Sequence, residues 1–308
     1  MYFGIIGGGF GIYGWLSALN YFSEIKIGTL AKYKKKILIK IEIENLSTLI
    51  EKINWFDEED LLFQSVDILI IARRPVDQVK VINHLIQKSW KGSLIIEKPI
   101  AASSDESKKI IKKIIKNKIS FQVGFSIMET NWSKKIQQLI LNTKPKQISI
   151  DWNFYAHHYK YNDLGWKSNP YFGGGALSFY SIHFIAWLSS FSDWNVNYCS
   201  PLKIKNNDPY VDFELTNGNT ILKMKCNSIS ENLNLFTITE KVQNRLVLNL
   251  ENPFSETLSK NNILKIDARV PYLIKIIEKA LQNNWIDYSF LEKHINLWKA
   301  IENKRNGN

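Results

Sequence analysis

Three groups of residues in this 308-residue chain have types and spacing that can do chemistry. Lys98 stands between Glu97 and Pro99 at the end of the apolar run Ser93-Leu94-Ile95-Ile96. A lysine there can donate to a substrate oxygen or, if partly desolvated, have its pKa lowered enough to share in proton transfer. His183, whose ordinary pKa is about 6.5, suits proton exchange near neutrality. Tyr180 lies three residues earlier, on the same face of a helix, and is a substitute donor. Packing is the alternative role for both, because Phe184, Ile185, Trp187 and Leu188 surround the histidine in sequence. The third group is the run Gly7-Gly8-Gly9-Phe10-Gly11-Ile12-Tyr13-Gly14.

Such a glycine run, following the apolar residues Tyr2 to Ile6 and preceding Trp15, Leu16, Ala18 and Leu19, reads as strand, loop and helix. Residues without a Cβ let a diphosphate approach backbone N–H groups at the positive end of a helix. Gly7 and Gly9 are expected to make the turn, with Phe10 between them and Gly11, and with Gly11 and Gly14 continuing the close approach. The spacing Gly9, Gly11, Gly14 also fits G-x-G-x-x-G. A purely structural turn would not need so many glycines.

The elements that must position these residues alternate. Strands are expected at Glu24 to Leu30, Val66 to Ala72, Ser93 to Ile96 and Phe121 to Phe125, with a helix over Val76 to Trp90. A second helix opens on a capping box of Ser103 and Glu106 and carries Ile110, Ile111, Ile114 and Ile115. Ile39 to Glu44 reads as a half-exposed strand, Leu46 to Lys52 as a short helix, and Trp55 to Leu62 as a turn into an acidic helix. The alternation predicts an α/β, doubly wound parallel sheet over residues 1–123, with ligands at the carboxyl ends of its strands. Beyond Gly124, alternating stretches at Gln147 to Tyr155, Val196 to Ile204, Tyr210 to Leu215, Thr220 to Lys225 and Leu233 to Leu250 predict an α+β domain over 124–308 with a largely antiparallel open sheet. Two amphipathic helices finish the chain, the first opened by Pro271 and the second capped by Ser289 with Glu292.

Cofactor choice is expected at the end of the second strand, where a carboxylate would bind a ribose hydroxyl and a basic residue a 2′-phosphate. The stretch Thr29-Leu30-Ala31-Lys32-Tyr33-Lys34-Lys35-Lys36 holds no carboxylate, so NADP is preferred over NAD, with Thr29 and Lys32 as contacts. Arg73 and Arg74, after a later strand, are expected to flank the cofactor or an anionic substrate group, or to be solvated charge, with Pro75 beside them a further expected cofactor contact.

The net charge of +11 would ordinarily raise nucleic acid or an anionic membrane as a partner. Only five arginines contribute, and nucleic-acid readers lean on arginine for bidentate contacts, so the lysines read as solvated faces and no nucleic acid is expected. The two cysteines, Cys199 and Cys226, are too few for a disulfide framework. No apolar run reaches the roughly 18 residues of a membrane span. A cytoplasmic protein without a membrane partner is expected. Neighbouring His157 and His158, read as strand residues, would point to opposite faces, so no metal site is expected.

These pieces together resemble the glucose-fructose oxidoreductase, inositol dehydrogenase and rhizopine-catabolism (Gfo/Idh/MocA) family. The resemblance rests on Gly7-Gly8-Gly9-Phe10-Gly11, Ile71-Ala72-Arg73-Arg74-Pro75, Glu97-Lys98-Pro99-Ile100, Val123-Gly124-Phe125, Trp166-Lys167, Gly173-Gly174-Gly175-Ala176-Leu177 and His183, in that order along the chain. It implies an N-terminal Rossmann domain, a C-terminal open sheet used for homo-oligomer contacts, and hydride transfer between NAD(P) and a sugar, sugar nucleotide or polyol. Lys98 matches the family lysine beside nicotinamide and substrate, with Glu97 beside it, and His183 matches the family acid or base. Trp166 and Lys167, in a loop before the glycines, and Tyr155 are candidate substrate contacts. The family aspartate four residues before the histidine is Phe179 here, and the glycine two before it is Ser181. A catalytically degenerate dinucleotide-binding scaffold is therefore the alternative reading.

Overall fold

Short apolar strands pair in parallel at the amino end of the computed structural model, which describes residues 1–39, 49–202, 206–241, 245–257 and 267–307. They are β1 (Tyr2–Ile6), β2 (Lys26–Leu30), β3 (Ile53–Phe56), β4 (Ile68–Ile71), β5 (Ser93–Ile96) and β6 (Phe121–Val123). Their order is β3-β2-β1-β4-β5-β6, every pairing parallel. This is the Rossmann order, whose reversal between β1 and β4 opens a ligand crevice at the strands' carboxyl ends. Phe3, Ile5, Ile6, Leu69, Ile70, Ile71, Leu94, Ile95 and Ile96 are fully buried. Each such side chain contributes about 1.5–3 kcal/mol on leaving water.

The chain forms two compact units, and their boundaries cross the sequence more than once. The first comprises Met1–Ile100, Lys109–Ser126 and Thr257–Ile286; the second comprises Ala101–Lys108, Ile127–Glu256 and Asp287–Asn308. The helix Val270–Leu281 thus belongs with the Rossmann sheet, packing on the turn Gly11–Leu16 and the short helix Ser17–Leu19. Ile286 N–H donates to the Phe121 carbonyl at 3.1 Å, and Gln122 reaches the Asn284 carbonyl.

In the second unit a sheet of order β12-β11-β7-β10-β9-β8 is formed by β7 (Gln147–Asn153), β8 (Asn195–Cys199), β9 (Tyr210–Thr216), β10 (Ile221–Asn227), β11 (Leu235–Glu240) and β12 (Arg245–Leu250). It is largely antiparallel, as expected, except that β7 and β10 run parallel. Cross-strand pairing aligns Ile238, Ile150, Met224, Phe213 and Cys199 in one buried row. Trp132 extends this core, lying 5.5 Å edge-on to Trp187 and 5.0 Å from Phe236. Its indole N–H donates to the Pro253 carbonyl at 2.8 Å.

Three local expectations are corrected. Trp55 and Phe56 form part of the edge strand β3, whose four residues are too few to show a period. The last helix, Tyr288–Arg305, is capped by Asp287, which accepts from Ser289 N–H at 3.0 Å, rather than by Ser289 with Glu292. His157 and His158 begin a helical turn, His157–Lys160, and are not strand residues. The expected strand at Ile39 to Glu44 lies outside the described residues beyond Ile39, which ends the helix Lys34–Ile39. The expected helix at Leu46 to Lys52 is described only from Leu49, as a tight turn over Ile50–Lys52.

Candidate functional site

The glycine loop shows which of its members are there for the backbone. Gly7 has φ +137°, and a Cβ on it would fall 2.1 Å from the Ala72 carbonyl oxygen, so no other residue fits. Gly9 is exposed, with nothing within 4 Å of its Cβ position. Phe10 follows as the N-cap of a π-helical turn, Gly11–Leu16, and supplies no side-chain acceptor to the N–H groups there. An open, Cβ-free approach to uncapped N–H groups fits an anion such as a diphosphate.

Gly11 and Gly14 meet packing neighbours at their Cβ positions. The Cβ position of Gly11 lies 3.2 Å from Ile5 and 3.3 Å from Ala72, so it seats the helix on the sheet. That of Gly14 lies 2.3 Å from the Phe10 ring, which occupies the space a side chain would need. Thr29, the expected cofactor contact on β2, is fully buried, and its hydroxyl donates to the Ile5 carbonyl at 2.8 Å.

Beyond the loop, Lys32 and Arg73 converge on one carboxylate, Glu59, the lysine at 3.2 Å. Burial pushes the Glu59 carboxyl up, but Arg73 and then Lys32 outweigh it and hold it below its ordinary value. Tyr33 lies across the same region, accepting the Gly7 N–H at 3.2 Å. Arg74 pairs with Asp77 at 2.6 Å on the exposed start of the helix Pro75–Gln87, where Pro75 supplies the preset φ of a first turn.

At the end of β5, Glu97 and Lys98 are both buried. Glu97 Oε1 accepts the Trp15 indole N–H at 2.7 Å, and Oε2 accepts the Lys98 backbone N–H at 3.2 Å. Gln78 Nε2 donates to the Glu97 and Pro99 carbonyls at 3.0 and 2.9 Å, fixing the chain on either side of the lysine. The Lys98–Pro99 peptide is cis. Burial pushes the Glu97 carboxyl up, against the pull of Lys98 and Arg269.

In the second unit Gly175 has φ +83°, and its Cβ position is 2.4 Å from Asp208. Asp208 receives the start of the next helix: its carbonyl accepts Ala176 N–H at 2.6 Å and its carboxylate accepts Leu177 N–H at 3.3 Å. That segment carries Phe179 and Tyr180 on the π-helical turn Ala176–Ser181, and His183 on the helix Ile182–Ser189. Tyr180 is half-buried among aromatic rings, 4.7 Å from Phe154, 4.9 Å from Phe179 and 5.6 Å from Trp152 between centroids. Trp166 lies edge-on to Phe179 at 5.3 Å. His183 is buried, with its ring edge-on to Phe254 at 5.7 Å. Tyr155 and Lys167 are half-buried; Tyr155 bridges to Ile229, and the Lys167 carbonyl accepts Gly175 N–H at 2.7 Å.

Sequence reasoning missed Glu59, Tyr33, Asp208, Arg269 and Arg305. Arginine identity was the available signal: with five in a lysine-rich chain, Arg269 and Arg305 stand out, and both are anchored by aspartates. His158 is buried parallel to the Tyr180 ring, and burial, followed by Lys167, pushes its pKa down to about 4. Among the described residues no cluster of three or more His, Cys, Asp or Glu could hold a metal ion, and no helix is long and apolar enough to cross a membrane.

Comparison with known proteins places the fold. The WlbA dehydrogenase of Chromobacterium violaceum, solved with NADH and UDP-GlcNAcA, is similar over 100% of this chain and 94% of its own, at a TM-score of 0.73 and 13% identity. KijD10, a 3-ketoreductase of Actinomadura kijaniata solved with NADP and TDP-benzene, is similar over 100% of this chain and 97% of its own, at 0.68 and 10%. An oxidoreductase of Thermotoga maritima is similar over 99% and 97%, at 0.70 and 15%. In sequence, YteT of Bacillus subtilis (strain 168), a protein named for an inferred oxidoreductase activity, is 25% identical over 185 residues, 56% of this chain. The match spans 42% of YteT, less than half its length. No protein-family model matches. The fold is that of the Gfo/Idh/MocA-type dehydrogenases that the sequence resembles.

Proposed function

We propose that this chain, having the fold of nicotinamide-dependent dehydrogenases, is itself an NAD(P)-dependent oxidoreductase acting on a sugar, sugar nucleotide or related alcohol or ketone. The observation that carries the reading is the opening at Gly9, between Gly7, whose positive φ suits glycine, and the helical turn that Phe10 caps. When bound, the nicotinamide would supply or accept the hydride. Gly7 to Phe10 would bind the diphosphate, and Lys98 would hydrogen-bond the substrate oxygen that gains or loses a proton. His183 and Tyr180 are the proposed proton-exchange groups, and Trp166, Lys167 and Tyr155 the proposed substrate contacts. The sugar-nucleotide ligands of WlbA and KijD10 favour the same substrate class.

NADP is the proposed preference, because Lys32 and Arg73 together carry one more charge than the Glu59 between them. Glu59 is also the observation that favours NAD, since a carboxylate can accept from ribose hydroxyls. Self-association through the second sheet is also proposed. The row on its other face, Leu246, Thr239, the buried Ser149, Lys223, Glu214 and Tyr198, mixes charge with two large exposed apolar side chains.

Lys98→Met tests the catalytic assignment. Cofactor-dependent turnover with keto-sugars and nucleotide sugars should fall at least 100-fold while NADPH binding is kept, and unchanged turnover would remove Lys98 from the chemistry. An intact dinucleotide site with no turnover in the wild type on any such panel would instead support the scaffold reading.

A further inference from the structure

Arg269 lies far from the glycine loop in sequence and on top of it in the fold. Its guanidinium carbon is 3.8 Å from the centroid of the Phe10 ring. Phe10 in turn is 5.3 Å from Tyr13, whose phenol Arg269 hydrogen-bonds. Asp267 fixes the guanidinium from below: Nε and Nη2 donate to its two carboxylate oxygens at 2.8 Å each, and the Arg269 backbone N–H donates to Oδ1 at 3.0 Å. The plane of the cation is therefore set by one aromatic face and one bidentate fork. A guanidinium carries five N–H donors, more than Asp267 and Tyr13 use.

We propose that Arg269 is a further dinucleotide-binding residue, a preorganised cation that receives the anionic diphosphate at the glycine loop. The proposal rests on the dinucleotide reading above and adds to it a residue from the other end of the chain. Three features favour binding over a purely structural bridge. Phe10, the residue on which the guanidinium stacks, is itself part of the candidate diphosphate cradle. The side chain keeps 22% exposure, where the structural arginine of the second unit, Arg305, keeps 5%. Asp267 orients the cation without enclosing it, so little rotamer entropy remains to be lost on binding. The neighbouring titratable groups are Asp267, Tyr13 and Glu97, with Lys98 beside Glu97.

Titration of the full chain with NADPH, NADH and ADP-ribose, followed by tryptophan fluorescence for the reduced nucleotides and by competition for ADP-ribose, tests this. Arg269→Gln should weaken all three by about 10- to 100-fold, because all three carry the diphosphate, and Arg269→Lys should recover only part of the loss. Equal affinities in wild type and Arg269→Gln would overturn the proposal. If Arg269→Gln fails to fold, Phe10→Leu, which keeps the cation and removes its platform, should weaken the same ligands several-fold, and unchanged binding there would equally overturn it. A wild type that binds none of the three contradicts the dinucleotide reading itself, a result distinct from a variant that binds as well as wild type.

Discussion

Arg305 grips Asp208 through two hydrogen bonds, Nη1 to Oδ2 at 2.8 Å and Nη2 to Oδ1 at 2.6 Å, with both side chains almost wholly buried. The same aspartate receives the N–H groups of Ala176 and Leu177 and lies against Gly175. A residue near the carboxyl end of the described chain therefore fixes the loop from which the Tyr180 and His183 segment starts. Arg305 also donates to the Tyr210 carbonyl at 2.9 Å, tying β9 to the same knot.

Breaking this pair leaves a buried charge unmatched. Arg305→Met and Asp208→Asn are each expected to destabilise the second unit by about 3–5 kcal/mol in urea unfolding. A loss below about 1 kcal/mol would mean that water reaches the pair and that it does not hold the segment.

Gly7 and Gly9 separate folding from binding. Gly7→Ala places a Cβ against the Ala72 carbonyl at a φ that alanine rarely adopts, so the first unit should lose about 2 kcal/mol or more. Gly9→Ala meets nothing within 4 Å, so its melting midpoint should stay within a few degrees of wild type. Its dinucleotide affinity should fall about tenfold or more, because the added methyl stands where the diphosphate would approach. Equal binding by Gly9→Ala and wild type would move the ligand away from this loop.

Two buried histidines predict acid sensitivity in the second unit. Burial pushes His158 down from 6.5 to about 4 and His294 to about 3, so between those values and 6.5 the unfolded chain binds protons that the folded chain does not. Stability is then fully present above about pH 6.5 and declines as the pH falls toward 3. His294→Leu should flatten the fall in melting midpoint between pH 6.5 and 4, whereas an unchanged slope would assign the acid loss to carboxylates.

The parts of the fold that were legible in sequence are those governed by short-range rules. Buried parallel strands are continuous apolar runs, as in Ile68–Ile71, and a loop that must bend through positive φ is written in glycine at Gly7. Glu97-Lys98-Pro99 was legible because it ends such a strand. Relationships set by the return of the chain were not. Nothing near Gly14 says that its missing side chain makes room for Phe10, and nothing near Arg269 says that it lands on that ring. Nor does anything near Thr29 on β2 say that its hydroxyl donates to the Ile5 carbonyl. Glu59 was invisible as a partner for Lys32 and Arg73 because β3, the strand before it, was too short to recognise.

Parallel titration of the wild-type chain with NADPH and NADH, read as energy transfer from tryptophan to bound nicotinamide, tests the central claim most directly. The account predicts saturable binding, tighter for NADPH because Lys32 and Arg73 outnumber Glu59 in charge. Tighter NADH binding would instead assign Glu59 to the ribose and keep the oxidoreductase reading. Binding of neither, in folded protein free of carried-over nucleotide, would contradict the account: the glycine loop would then be structural, and Lys98 would have no hydride chemistry to serve.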